Sequence, residues 1–214
     1  MASPRPREGL LLGVALLLAA PAPAACFGQD CRDVEDEAAS TDEITITLRN
    51  DTTQILYVDG GEGCTPMPWQ LERDGNARKW RRALCEFSCE DVIAGDCTCD
   101  SECGSGSVLV LPPGESHSVT WDRSIYVDED LSLDCPAEGC PTQCDRRTVA
   151  ADASYSVVAS ASAVCIPDDG ACECEDATST CYVTGRPGDD VAASASVTLV
   201  LPDDVGDEVV VALQ

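Results

Sequence analysis

Fifteen of the 214 residues are cysteine, and their spacing is the first chemistry the chain offers. Cys97-Thr98-Cys99 and Cys172-Glu173-Cys174 form C-x-C pairs, and Cys85, Cys89, Cys97, Cys99 and Cys103 crowd one short stretch, as the thiolates of a metal site can. The pairs lack the C-x2-C spacing of zinc ribbons, so in an exported chain the same residues read as disulfides. Neighbours in C-x-C rarely bond to each other, and each pair is expected to tie two other segments to one loop. The expected disulfide set is Cys31, Cys64, Cys85, Cys89, Cys97, Cys99, Cys103, Cys135, Cys140, Cys144, Cys165, Cys172, Cys174 and Cys181. No metal or other cofactor is assigned, and a metal-binding protein stands as the third reading of the chain.

The remaining reactive residues are sparse. His117 is the single histidine, in a Ser116-His117-Ser118 setting beside a turn. No G-x-S-x-G, H-E-x-x-H, P-loop or dinucleotide fingerprint occurs, so no catalytic residue is assigned and the protein is read as a non-enzyme. Asp128, Asp130, Ser132 and Asp134 have the spacing that opens a calcium loop, but Leu133 stands where such a loop needs glycine and Gly139 where it needs glutamate. They read as a solvated acidic loop. A net charge of -26 excludes nucleic acid and the surface of an anionic membrane as electrostatic partners. Against that background, Arg78, Lys79, Trp80, Arg81 and Arg82 form a basic, aromatic patch suited to binding a protein partner. The alternative is that Trp80 is core and its neighbours pair with Glu72, Glu86 and Glu90.

The N-terminus places the chain outside the cytoplasm. Arg5 and Arg7 precede the apolar run Leu10 to Ala20 and the small-residue exit Pro21 to Ala25, the organisation of a secretory signal. The run is too short for a helix that spans a core about 30 Å thick. Cleavage after Ala22 or Ala24 satisfies the A-x-A rule. Alternatively, Ala24-Ala25-Cys26 resembles the end of a bacterial lipoprotein signal, which implies acylation of Cys26; Phe27 after it resembles outer-membrane sorting. Parity favours the lipid, because setting Cys26 aside leaves 14 cysteines that can all pair. The expected organisation is a signal over 1–25, an acidic tether over 26–43 and a disulfide-rich domain over 44–214.

The elements that must position these residues are short strands. Ile44 to Leu48 alternates strictly and Gln54 to Val58 follows an Asn50-Asp51-Thr52-Thr53 turn, which predicts a hairpin. Trp69 to Trp80 surrounds Asp74-Gly75 and predicts another. Further strands are expected at Ser107 to Leu111, Ser116 to Trp121, Tyr155 to Cys165, Val191 to Leu201 and Val209 to Val211. No convincing amphipathic helix occurs. Leu, Ile, Val and Phe make up only about a fifth of the chain after residue 25, a thin supply for a core. Disulfides are therefore expected to carry much of the stability. The pattern predicts an all-β, antiparallel Ig-like β-sandwich of about seven to nine strands, with long disulfide-stapled loops at 85–103, 135–144 and 165–181.

The order of landmarks Asn50-Asp51, Asp74-Gly75 before Trp80, Leu111-Pro112-Pro113-Gly114-Glu115-Ser116 running to Trp121, and Tyr155-Ser156-Val157 resembles the Ig-like sandwich of the Bacillus-type intracellular proteinase inhibitors over about residues 44–164. The cysteine content and signal resemble those of uncharacterised cysteine-rich bacterial lipoproteins. Together these readings imply an exported, lipid-anchored, non-catalytic module of the cell envelope, at the outer membrane or otherwise extracellular, working in recognition, adhesion or scaffolding. It would touch the membrane only through its N-terminal lipid. A secreted protease inhibitor, using the basic loop around Arg81, is the alternative.

Overall fold

The structure, a computed structural model, describes residues 31–60, 67–82, 85–99, 106–168 and 170–214. The expected signal, Cys26, Cys64 and Cys103 lie outside the described residues. The strands are β1 (Ile44–Asn50), β2 (Leu56–Asp59), β3 (Gln70–Arg73), β4 (Asn76–Arg78), β5 (Ser107–Leu111), β6 (Ser116–Trp121), β7 (Ser124–Asp130), β8 (Gln143–Val149), β9 (Ser154–Ser162), β10 (Cys165–Pro167), β11 (Cys181–Pro187), β12 (Ala193–Val200) and β13 (Glu208–Leu213). A short helix, α1 (Cys89–Ala94), lies between β4 and β5.

The all-β, sandwich-like fold with stapled loops is as expected, and the period-two pattern explains it. Tyr155, Val157, Ala159 and Ala161 alternate along β9 and all point into one core, where they meet Ile44, Ile46 and Leu48 of β1. One sheet has the order β13-β1-β6 and the other β10-β11-β5-β2-β9-β3-β4, with β12 also paired to β9. The ASAS segments of β9 and β12 lie side by side, with Ala159 opposite Ala195 and Ser160 opposite Ser194. Strands outnumber the expected seven to nine because β7, β8, β10 and β11 form in or beside the stapled loops.

The first expected hairpin does not form. β1 pairs with β6 and β13, whereas β2 pairs with β5 and β9, so residues 51–55 carry the chain from one sheet to the other. Asn50 holds this corner. Its buried amide donates to the Leu111 and Gln54 carbonyls at 2.8 Å each, and its Oδ1 accepts from the Thr52 amide at 2.9 Å. A turn-forming residue thus serves a crossing between layers, and its local hydrogen bonds are those an Asx-turn would also use. The second expected hairpin is present as β3 and β4, with Asp74 at φ 54° and Gly75 at φ 73°, the left-handed pair that a two-residue hairpin turn needs.

A smaller module sits beside the sandwich. The β7–β8 hairpin, α1 and a single 3-10 turn at Cys31–Val34 enclose Val34, Cys89, Val92, Leu131, Cys135 and Cys144. Helix α1 escaped the sequence reading because it has only six residues; its one legible signal is the capping box of Ser88 and Asp91. Disulfides join Cys31 to Cys135, Cys89 to Cys144, Cys97 to Cys140 and Cys85 to Cys99, while Cys165–Cys172 and Cys174–Cys181 each close a short loop. Each C-x-C pair ties two separate segments, as expected.

The described end of the acidic segment, 31–43, is more firmly held than a solvated tether. Arg147 and Val149 donate backbone N–H groups to the carboxylates of Asp36 and Glu37, at 2.7 and 2.8 Å, and the Glu37 amide donates to the Arg147 carbonyl at 2.9 Å. The acidic side chains cap amides that a bare strand edge would leave unpaired. Asp42 joins Asp152 and the Ala150 carbonyl around the buried guanidinium of Arg123, which closes the neck of the β7–β8 hairpin.

Candidate functional site

The tight turn of the β3–β4 hairpin delivers residues 78–82 to the junction between sandwich and module. Alternation then separates their roles. The Trp80 ring is in the core, 3.7 Å from Trp69 in a parallel stack, and its Nε1 donates to the Trp69 carbonyl at 3.1 Å. Arg78 is exposed at the end of β4. Arg81 lies over the Trp80 ring at 4.7 Å, a cation–π contact. Arg82 pairs with Asp91 of α1 at 3.4 Å and covers Tyr126. Lys79 turns the other way, and its Nζ donates to Asp145 Oδ2 and approaches Glu86 Oε2, both at 2.7 Å. Of the carboxylates anticipated as partners, Glu86 is one; Asp91 and Asp145 were not legible, because α1 and the register of β8 bring them here.

Arg81 has a second setting that sequence reasoning missed. Its charge acts on His117 of β6 and Tyr182 of β11, which meet edge to face across the two sheets and share a hydrogen bond of 2.9 Å between the phenol oxygen and Nε2. Burial lowers the pKa of His117 below the usual histidine value, and the Arg81 guanidinium lowers it further. Burial raises the Tyr182 phenol, with Arg81 opposing it. Arg81, His117 and Tyr182 therefore present hydrogen-bonding groups and one cation on a single face of an otherwise acidic protein. The lone histidine is committed to an inter-sheet contact.

Because the folded His117 resists protonation, the unfolded chain binds more protons as pH falls through the ordinary histidine range near 6.5. Its contribution to stability is thus present above that range and is lost as pH drops through it. In NMR the single imidazole is expected to titrate below an ordinary histidine, and Arg81→Ala is expected to raise its midpoint. An unmoved midpoint in that variant would show that the guanidinium does not act on the ring.

Asp128 to Asp130, the suggested start of a calcium loop, lie at the end of β7 with side chains alternating across the strand. Among the described residues no group of three or more histidine, cysteine or acidic side chains is arranged to hold a metal ion. Among them, too, no helix is long and apolar enough to cross a membrane. Compared with known proteins, the chain matches no family model, no curated protein and no solved structure. The likeness to proteinase inhibitors rests on short landmarks alone.

Proposed function

We propose that this protein is an exported, lipid-anchored, non-catalytic module of the cell envelope that recognises or scaffolds another protein through the face bearing Arg81, His117 and Tyr182. The observation that carries the reading is the crosslinking: all twelve described cysteines are paired, which suits an oxidising, extracellular or envelope compartment. The contact face is supported by chemistry. Arginine and tyrosine are favoured at the centre of interfaces, and here a cation stands among hydrogen-bonding groups on a chain of net charge -26. An acidic group on the partner suits it best.

Three cysteines remain outside the described pairs: Cys26, Cys64 and Cys103. Acylation of Cys26 leaves two, and these are equally spaced from a described strand pair. Cys64 follows Asp59 by five residues and Cys103 precedes Val108 by five, while Asp59 and Val108 face each other across β2 and β5. Intact mass spectrometry of protein from its native host is therefore expected to show an acylated N-terminal cysteine and seven disulfides. A free N-terminal thiol would remove the lipid anchor from this reading.

The contact face is tested by replacing Arg81 with serine and measuring capture of envelope proteins by the intact, oxidised domain. Loss of a partner held by the parent is the expected result. Unchanged capture would remove the face from consideration. Inhibition of a trypsin-like protease at stoichiometric amounts, lost in the same variant, would favour the inhibitor reading instead.

A further inference from the structure

We infer that Lys79 and Asp145 form an intramolecular isopeptide bond, with Glu86 as the proton carrier, which fastens the sandwich to the disulfide module by a link that reductants cannot open. The juxtaposition is unusual for an ion pair at a protein surface. Lys79 Nζ lies 2.7 Å from Asp145 Oδ2 and 2.7 Å from Glu86 Oε2. The Asp145 side chain is only 4% exposed, whereas that of Glu86 is 40% exposed, so Asp145 is the poorly hydrated carboxyl and the better electrophile. The backbone holds both reactants: the Tyr126 amide donates to the Lys79 carbonyl at 2.7 Å and the Asp145 amide to the Phe87 carbonyl at 2.9 Å. Holding amine and carboxyl in contact converts a bimolecular condensation into an intramolecular one.

The protonation of the carboxyl agrees with the geometry. Burial favours the protonated carboxyl of Asp145, with Lys79 opposing; the nearby charge of Glu86 and a hydrogen bond with Asp128 favour it too. Burial disfavours the Lys79 ammonium, but its hydrogen bonds to Asp145 and Glu86 outweigh that and raise its pKa. The cluster has more carboxylates than cations and retains its protons. One proton shifts from the ammonium to Asp145, giving a neutral amine and a neutral acid. The amine lone pair attacks Asp145 Cγ, and the carbonyl π bond opens onto oxygen. Glu86 takes a proton from the nitrogen and returns it to the departing hydroxyl. The C–O bond breaks, the carbonyl reforms, and one water leaves through the open cleft lined by Lys79, Glu86 and Asp145. No oxidant or cofactor is needed.

The bond would connect the end of β4 to β8, which are 66 residues apart in sequence. The test is the mass of the exported chain after full reduction and alkylation, followed by peptide mapping. The expected result is a deficit of one water and a branched peptide joining Lys79 to Asp145, with no cleavage by trypsin after Lys79. The Lys79→Arg and Asp145→Ala variants should show the full mass. Glu86→Gln should remain unlinked while keeping its disulfides, which separates proton transfer from folding. A parent chain of full mass, or one linked from Lys79 to Glu86, would overturn the inference, and this measurement on the parent does not depend on any variant folding.

Discussion

Reduction of the disulfides is expected to melt the smaller module and to leave the sandwich standing. Half of the six buried residues in the module's core are cysteines, leaving Val34, Val92 and Leu131 as its fully buried aliphatic side chains. Burial of each is worth about 1.5–3 kcal/mol, whereas each ordered residue costs about 1.5 kcal/mol of conformational entropy. Three such side chains cannot order several tens of residues. The crosslinks close the gap: Cys31–Cys135 and Cys89–Cys144 span 104 and 55 residues, and loops of that size lose about 4–5 kcal/mol of unfolded-state entropy each when closed. Because the loops overlap, those values do not add.

The sandwich is different. Its core holds 21 buried residues, including all three tryptophans, and no described disulfide crosses it. The crosslinks at Cys165–Cys172 and Cys174–Cys181 each span seven residues and constrain little beyond their own turns. Among the described residues, the crosslinking anticipated for the whole domain is thus concentrated in one part of it. Hydrogen exchange in reductant should show protection lost over 85–99 and 124–149 and kept over β1, β9 and β12. Tryptophan emission should stay that of a buried ring. Simultaneous loss of protection throughout the chain would show that the two parts fold as one unit.

Truncation of Trp69 to alanine is expected to be the most damaging single change in the sandwich. The ring is 2% exposed and stacks on Trp80; its edge meets Trp121 at 6.4 Å, and Trp121 in turn meets Tyr155 at 6.3 Å. This aromatic row links the β3–β4 hairpin to β6 and β9, so it fastens both sheets. A buried Trp→Ala change costs about 3–5 kcal/mol, and aromatic pairs add about 0.5–1.5 kcal/mol beyond burial. That is a large part of the 5–15 kcal/mol typical of a domain. Denaturant unfolding followed by circular dichroism gives the value. Leu133→Ala, at a side chain 86% exposed, is the matching control and should change stability by less than about 0.5 kcal/mol. A cost below 1 kcal/mol for Trp69→Ala would mean that the row is not what joins the sheets.

These expectations show where local sequence ends as a guide. Strand β9 was legible because Tyr155, Val157, Ala159 and Ala161 repeat at period two, and the β3–β4 turn because Asp74-Gly75 suits left-handed backbone. The corner after β1 was misread because Asn50 bonds to Thr52 and Gln54 much as it would in a hairpin. Only its bond to Leu111, 61 residues away, reveals a crossing. The basic patch was half legible: the composition is plain, but a period of two hides Trp80 and turns Lys79 toward Asp145.

Residue order alone therefore established the β character, the placing of most strands, the abundance of crosslinkable sulfur and the acidity, since each depends on neighbours within a few positions. Which strands pair, which cysteines bond, and which cations meet which carboxylates were settled by the folded chain. Those choices join residues tens of positions apart, and many alternatives satisfy the same local pattern. Close packing of two layers around one aromatic row selects among them, because it buries all three tryptophans in a single core.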